Sequence, residues 1–353
     1  MGLLIWSAGQ SPAQDLNNIA YLCCDWGPAM TLPVKAGDQP KFSDTEDEVY
    51  FLKQVGTISR KKSLLKSLMG SRNVENIGKG ISIWLCKMKA DGSGKTEIKE
   101  LWRNPQYPID TQGQSTWLDV NRRSRRLALS ITFAGSDLTG LWTMNLDGSG
   151  FKRIITPTRN SNYLQAINHA SWTLAGDGIY FEEELRGMNP NRFNIAKCDA
   201  SGTAMTRIFE ADGKIQYREP RVSPDGKQIA FVRYPNGYPG GSFVWSANLD
   251  GTAAAPVGGK ETRQNCGTYP AWSPDGDKLF YIGISCCILD TATGNKLAQQ
   301  VGHSGWPHWG RLGLIGYNLG GIIFTDSERK ESKRLATSGT ANSSENKSDS
   351  GRW

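Results

Sequence analysis

Short runs of alternating apolar and polar residues, broken every few positions by tight-turn residues, fill this chain. Two stretches show the pattern most clearly: Glu219-Pro-Arg-Val-Ser-Pro-Asp-Gly-Lys-Gln-Ile-Ala-Phe231 and Tyr269-Pro-Ala-Trp-Ser-Pro-Asp-Gly-Asp-Lys-Leu-Phe-Tyr281. Each predicts a short strand, a turn and a second strand. In the turn, Pro presets φ, Asp bonds its own backbone and Gly takes the positive φ. Weaker copies begin at Pro40, Thr116, Ser171 and Pro307. A second hairpin follows each copy, clearest in Leu141-Trp-Thr-Met-Asn-Leu-Asp-Gly-Ser-Gly150 and Val244-Trp-Ser-Ala-Asn-Leu-Asp-Gly251.

Two hairpins per unit make a four-stranded sheet that cannot bury both of its faces alone, so the units must stack around an axis. The predicted fold class is therefore all-β, a propeller of four-stranded blades. The repeats begin near residues 40, 115, 170, 220, 270 and 307, which makes six complete copies. Residues 1–36 read as a partial first blade. Leu3 to Gly9 matches a second strand, Asn18 to Cys24 a third, and Met30 to Val34 a fourth, with only the axial strand missing. Seven blades are therefore expected, with six as the alternative, and upstream sequence is expected to supply the missing strand and a secretion signal. The propeller is placed at 1–337. The Ser/Asn/Lys-rich tail at 338–353 is expected to be disordered.

The motif Pro-x-Trp-Ser-Pro-Asp-Gly, followed by Leu-Trp-x-x-Asn-Leu-Asp-Gly-Ser, resembles the TolB-type repeat. The likeness is strongest over 217–281, good over 140–157, and covers about 1–336. Prolyl-oligopeptidase-like enzymes and oligogalacturonate lyases carry similar propellers. The resemblance implies a TolB-like β-propeller in a periplasmic or secreted setting and is nearly silent on chemistry. Its leading functional implication is a non-enzymatic protein- or ligand-binding scaffold in a bacterial envelope or secreted assembly. The alternative is a polysaccharide-acting enzyme like oligogalacturonate lyase, with its site at the channel mouth. Lyases of that kind place metal-binding histidines on the propeller, whereas this chain has only His169, His303 and His308. No catalytic residue, metal or cofactor is assigned.

Composition changes this picture little. No apolar run approaches the roughly 18 residues that a membrane span needs. The net charge of +7 is concentrated at 53–79, where seven basic residues less one acid leave +6. With the remainder near neutral, no nucleic-acid groove is expected. Within this 53–80 basic insertion, Leu64, Leu65, Leu68 and Met69 predict one face of a short helix opposite lysines. It reads as a cap on its own blade or as a docking arm for an acidic partner. The seven cysteines include no C-x-x-C pair and read as buried free thiols. The repeated Trp84, Trp117, Trp142, Trp172, Trp245, Trp272 and Trp309 read as packing between blades.

Innermost strands line a propeller's channel, and loops at its mouth carry function. The residues that read as lying just before each first strand are Gln39, Gln114, His169, Glu219, Tyr269 and Trp306. With Arg218, His303 and His308, they are expected to form a ring at the channel mouth. That ring could hold a small polar ligand or meet a protein partner.

Overall fold

The turn chemistry of the repeat sets where each blade's first hairpin reverses. Ser223 N donates to Gln228 O at 2.8 Å, and Gly226 N donates to Ser223 O at 2.9 Å. The Asp225 carboxylate accepts from Ser223 Oγ at 2.6 Å and from Lys227 N at 3.0 Å. Gly226 sits at φ 72. A Cβ there would lie 2.8 Å from the Leu174 Cβ of the preceding blade, so this turn needs glycine both for its backbone and for the close approach.

The computed structural model describes residues 37–42, 48–61, 75–89, 93–104, 115–132, 138–160, 162–235, 241–261, 267–283, 286–300, 305–310, 313–318, 321–325 and 332–335. The first sheet comprises β1 (Gly37–Phe42), β2 (Glu48–Lys61), β3 (Glu75–Lys89) and β4 (Thr96–Asn104). The second has β5 (Ser115–Asn121), β6 (Arg126–Thr132), β7 (Gly140–Asn145) and β8 (Lys152–Ile155). The third has β9 (Leu164–Trp172), β10 (Gly178–Arg186), β11 (Arg192–Asp199) and β12 (Thr206–Phe209). The fourth has β13 (Ile215–Val222), β14 (Gln228–Pro235), β15 (Phe243–Asn248) and β16 (Ala255–Pro256). The fifth has β17 (Thr268–Trp272), β18 (Lys278–Ile282), β19 (Cys286–Asp290) and β20 (Lys296–Gln300). The sixth has β21 (Gly305–Gly310), β22 (Gly313–Asn318), β23 (Gly321–Thr325) and β24 (Ser332–Leu335).

All six sheets are antiparallel, with strands side by side in chain order, as two successive hairpins require. No helix among the described residues is long and apolar enough to cross a membrane. The first strand of each sheet touches the first strand of the next. From the sixth sheet, β21 and β22 lie against β1 of the first. The core lies between blades: one cluster joins Phe51 of β2, Trp117 of β5, Leu141 of β7, Ile167 of β9 and Phe181 of β10. Another joins Tyr180 and Ile195 of the third sheet to Ile229 and Phe231 of the fourth. Each such side chain, once fully buried, contributes about 1.5–3 kcal/mol. Of the seven repeated tryptophans, Trp117, Trp172, Trp272 and Trp309 are buried, and Trp84, Trp142 and Trp245 are half-buried. Cys86, Cys198 and Cys287 are buried free thiols, and burial pushes Cys86 and Cys198 up to about 12.

Only the two ends of the basic insertion fall among the described residues. Its flanks extend the β2–β3 pair, with Ser59 opposite Ile77 and Lys61 opposite Glu75. Arg60 and Lys61 are strand residues, and the β-branched Val55, Ile58, Ile77 and Ile81 of this pair suit an extended ladder. Residues 62–74 lie outside the described residues, as do the partial blade at 1–36 and the tail at 338–353.

A seventh blade would have to part β1 from β21. Deletion of residues 1–36 is therefore expected to leave a soluble protein that unfolds in one cooperative thermal transition. An aggregating product, or one that melts without cooperativity, would show that those residues supply a blade.

Candidate functional site

The first strand of each blade is a sheet edge, and in five of the six it is bulged. In β13, Arg218 faces Val232 and Arg221 faces Ala230, so Glu219 and Pro220 share one partner position. The same shift falls after Asp38 in β1, Asn168 in β9, Thr268 in β17 and Gly305 in β21. Strand β5 pairs without interruption. His169, Glu219 and Tyr269 adopt φ values of 52, 58 and 56 at this bulge. A left-handed backbone at residues other than glycine costs on the order of 1 kcal/mol or more and persists where its surroundings enforce it.

Here the enforcing group is a buried carboxylate. Glu182 Oε2, on β10, accepts from Glu219 N at 3.1 Å and from Arg218 Nε at 3.3 Å, and faces His169 Nδ1 at 3.1 Å. Its Oε1 accepts from Arg218 Nη2 at 3.4 Å. The Glu219 carboxylate in turn accepts the backbone N–H of Tyr269. The His169 ring stacks edge-on with Trp117 at 4.7 Å and with Tyr269 at 6.0 Å. Burial alone would push the Glu182 carboxyl up, but Arg218 and His169 outweigh it and hold the group at about 2. For Glu219 burial prevails, and its carboxyl is raised.

One layer further along the same strands, the axis widens into a cavity of about 200 Å³. Asp119, Ser171, Arg221, Ala271 and His308 line it, each from the first strand of a successive blade. These residues hold equivalent register positions, opposite Ala128, Tyr180, Ala230, Phe280 and Ile315. Trp172, Trp272 and Trp309 stand one residue on and complete the wall. Asp119 Oδ2 accepts from Trp172 N at 2.9 Å, and Ser171 Oγ accepts from Val222 N at 3.1 Å. The Arg122–Arg123 turn also lines the cavity. Asn121 holds that turn: its Oδ1 accepts from Ser124 N at 2.7 Å and its Nδ2 donates to Thr173 O at 2.8 Å.

Several of the expected site residues therefore have different surroundings from those expected. His169, Arg218, Glu219 and Tyr269 do converge, but around Glu182 and within the strands rather than before them, since β9 begins at Leu164 and β13 at Ile215. Pro220 and Pro270, which in the repeat read as strand starts, each sit in the bulge of an edge strand, where no ladder N–H is required. Gln39 and Trp306 occupy the corresponding bulges of β1 and β21. His308 lines the axial cavity and His169 does not. Gln114 and His303 lie outside the described residues. Among the described residues no group of three His, Cys, Asp or Glu side chains is placed to hold a metal ion.

Sequence reading missed Glu182, whose signal was three successive acids inside the apolar strand Ile179-Tyr-Phe-Glu-Glu-Glu-Leu185. Of the cavity ring, which is the x of Pro-x-Trp-Ser-Pro-Asp-Gly, it named His308 and missed Asp119, Ser171, Arg221 and Ala271.

No protein-family model matches the chain, and no curated protein sequence matches it. Among solved structures, a putative TolB from Agrobacterium tumefaciens aligns with TM-score 0.50 and 15% identity, over 75% of this chain and 81% of that one. A puromycin-hydrolyzing peptidase from Mycobacterium tuberculosis aligns with TM-score 0.50 and 9% identity, over 86% of this chain and 54% of that one. An oligogalacturonate lyase from Vibrio parahaemolyticus aligns with TM-score 0.45 and 11% identity, over 90% of each chain. At such identities the likeness is one of fold: this chain has the fold of the TolB-like β-propellers.

Glu182 supplies a test of the network. Its folded carboxyl is held at about 2 against an ordinary 4.5, so its stabilising contribution is complete above pH 4.5 and is lost as pH falls towards 2. Glu182→Gln is expected to cost about 3 kcal/mol at pH 7 by removing the buried carboxylate charge that Arg218 faces. It should also flatten the acid limb of the stability profile, measured by urea unfolding at successive pH values. An unaltered acid limb would mean that Glu182 does not hold the network.

Proposed function

We propose that this protein is a non-enzymatic binding scaffold whose axial cavity holds a small polar ligand. The observation that carries this reading is the cavity ring. Five first strands place a residue at the same position, opposite an equivalent residue of the second strand, yet that residue changes from Asp119 to Ser171, Arg221, Ala271 and His308. Interblade hydrogen bonding accounts for Asp119 and Ser171, whereas the change to Arg221, Ala271 and His308 suits recognition of an asymmetric molecule. The wall joins apolar faces to a few convergent polar groups, the usual make-up of a small-molecule site. A bacterial envelope or secreted setting belongs to the same proposal and rests on the TolB-type repeat alone.

A thermal-shift screen of small polar metabolites against the full chain is expected to return stabilising compounds that also perturb tryptophan emission, because Trp172, Trp272 and Trp309 form the wall. A ligand at a hundredfold excess over its Kd contributes about 2.7 kcal/mol. Ala271→Phe, which fills the cavity from one side, should abolish the shift while the variant still melts cooperatively. A screen without stabilising compounds, or shifts that survive Ala271→Phe, would count against the site.

A further inference from the structure

The cavity ring breaks its own rule at Arg221. In the two preceding blades this position carries an acceptor that takes an edge N–H of the next blade: Asp119 for Trp172, and Ser171 for Val222. A guanidinium has no acceptor atom, and the link to the fifth blade is made instead by Trp272 Nε1, which donates to Arg221 O at 3.0 Å. The Arg221 side chain is thus released from the interblade duty of its equivalents. It is only 7% exposed, its guanidinium carbon lies 3.9 Å from the Trp117 ring centroid, and Nη1 donates to Pro220 O at 3.2 Å. Its Nε is buried without a partner, and so is Nε1 of Trp172, another residue of the cavity wall.

Burying a cation is costly unless charge and hydrogen bonds compensate it. Desolvation lowers the Arg221 guanidinium to about 10, with Asp119, Glu219 and Glu182 opposing that fall. Two of those acids are engaged elsewhere: Glu182 holds Arg218 and faces His169, and Glu219 holds the Tyr269 N–H. The charged side chains on the cavity wall are Arg122, Arg123 and Arg221 against the one carboxylate of Asp119, with His308 beside them. Asn121 ties the backbone of their turn to the third blade, so the Cα positions of Arg122 and Arg123 at the cavity are set before any ligand arrives.

Resting on the cavity reading above, we propose that the axial ligand is a small anion whose carboxylate or phosphate group is seated against the Arg221 guanidinium with Arg122 and Arg123 beside it. Charge-assisted bonds from guanidinium to oxyanion are the strong and geometrically selective kind. A volume of about 200 Å³ has room for a phosphate or a small dicarboxylate.

The test is calorimetric titration of the full chain with inorganic phosphate, malonate and neutral glucose, at ionic strength held constant with sodium chloride. Phosphate or malonate is expected to saturate at one site per chain, and glucose is not. Saturation by phosphate alone identifies a phosphate ligand, and saturation by malonate alone a carboxylate. Arg221→Met should weaken the bound anion at least tenfold. Because that residue is buried, the double variant Arg122→Gln/Arg123→Gln, on a hairpin turn, provides a second reading and should also weaken it at least tenfold. Anion affinity unaltered in the double variant would overturn the proposal. Glucose binding without anion binding would overturn it too and leave the cavity reading standing, while a chain that binds none of the three would remove both.

Discussion

The innermost strands have a hydrogen-bonding neighbour on one side only, so the N–H groups on their free edge must find partners from another blade. Trp172, Glu219, Val222 and Tyr269 each donate a backbone N–H to a side chain of the preceding blade: Asp119, Glu182, Ser171 and Glu219 respectively. Unpaired buried N–H groups cost about as much as a lost hydrogen bond. The third, fourth and fifth blades are therefore each completed by the predecessor through specific polar contacts as well as apolar packing. This is how sheets that share no backbone ladder come to hold a common axis.

The bulge and the buried charges belong to the same arrangement. A left-handed residue at 169, 219 and 269 lets the edge strand add a residue without losing its register to the second strand. At 219 and 269 it also presents its N–H to an acid of the blade before. Glu182 can stay ionised beneath the surface because Arg218 and His169 flank it. The first strand of the second blade does without the bulge and places the Trp117 ring beside His169 and under Arg221. Local backbone strain, a buried acid and an aromatic platform are thus parts of one interblade seam.

The cavity lies one layer away from that seam and depends on it. Residues of the seam fix the spacing of the first strands, and the residues two further along differ from blade to blade, Asp119 and Ser171 taking an interblade N–H that Arg221 has no acceptor atom for. Arg221 joins the two layers: its backbone O serves the fifth blade, its guanidinium lies over the Trp117 ring, and it lines the cavity with Arg122 and Arg123.

Local chemistry makes most of the fold legible in the amino-acid order itself. The Ser-Pro-Asp-Gly turns, the Asp-Gly turns of the second hairpins and the alternation of Ile, Leu and Phe with polar residues all act over a few positions, and the sheets follow them closely. The second hairpin at Leu141 and the turn at Asp225 sit where the pattern puts them. The chemistry-bearing residues are legible only in part. His169, Glu219 and Tyr269 stand out by their equal spacing, but a Pro next to two of them disguises a bulge inside an edge strand as the start of one. The partner at their centre, Glu182, and the cavity ring beginning at Asp119 come together from separate blades, dozens of residues apart. Sequence determines turns and strands because those are settled between near neighbours. Which polar groups share a buried seam, and which face the open axis, is decided only when the blades stack, because burial and charge compensation belong to the assembled ring.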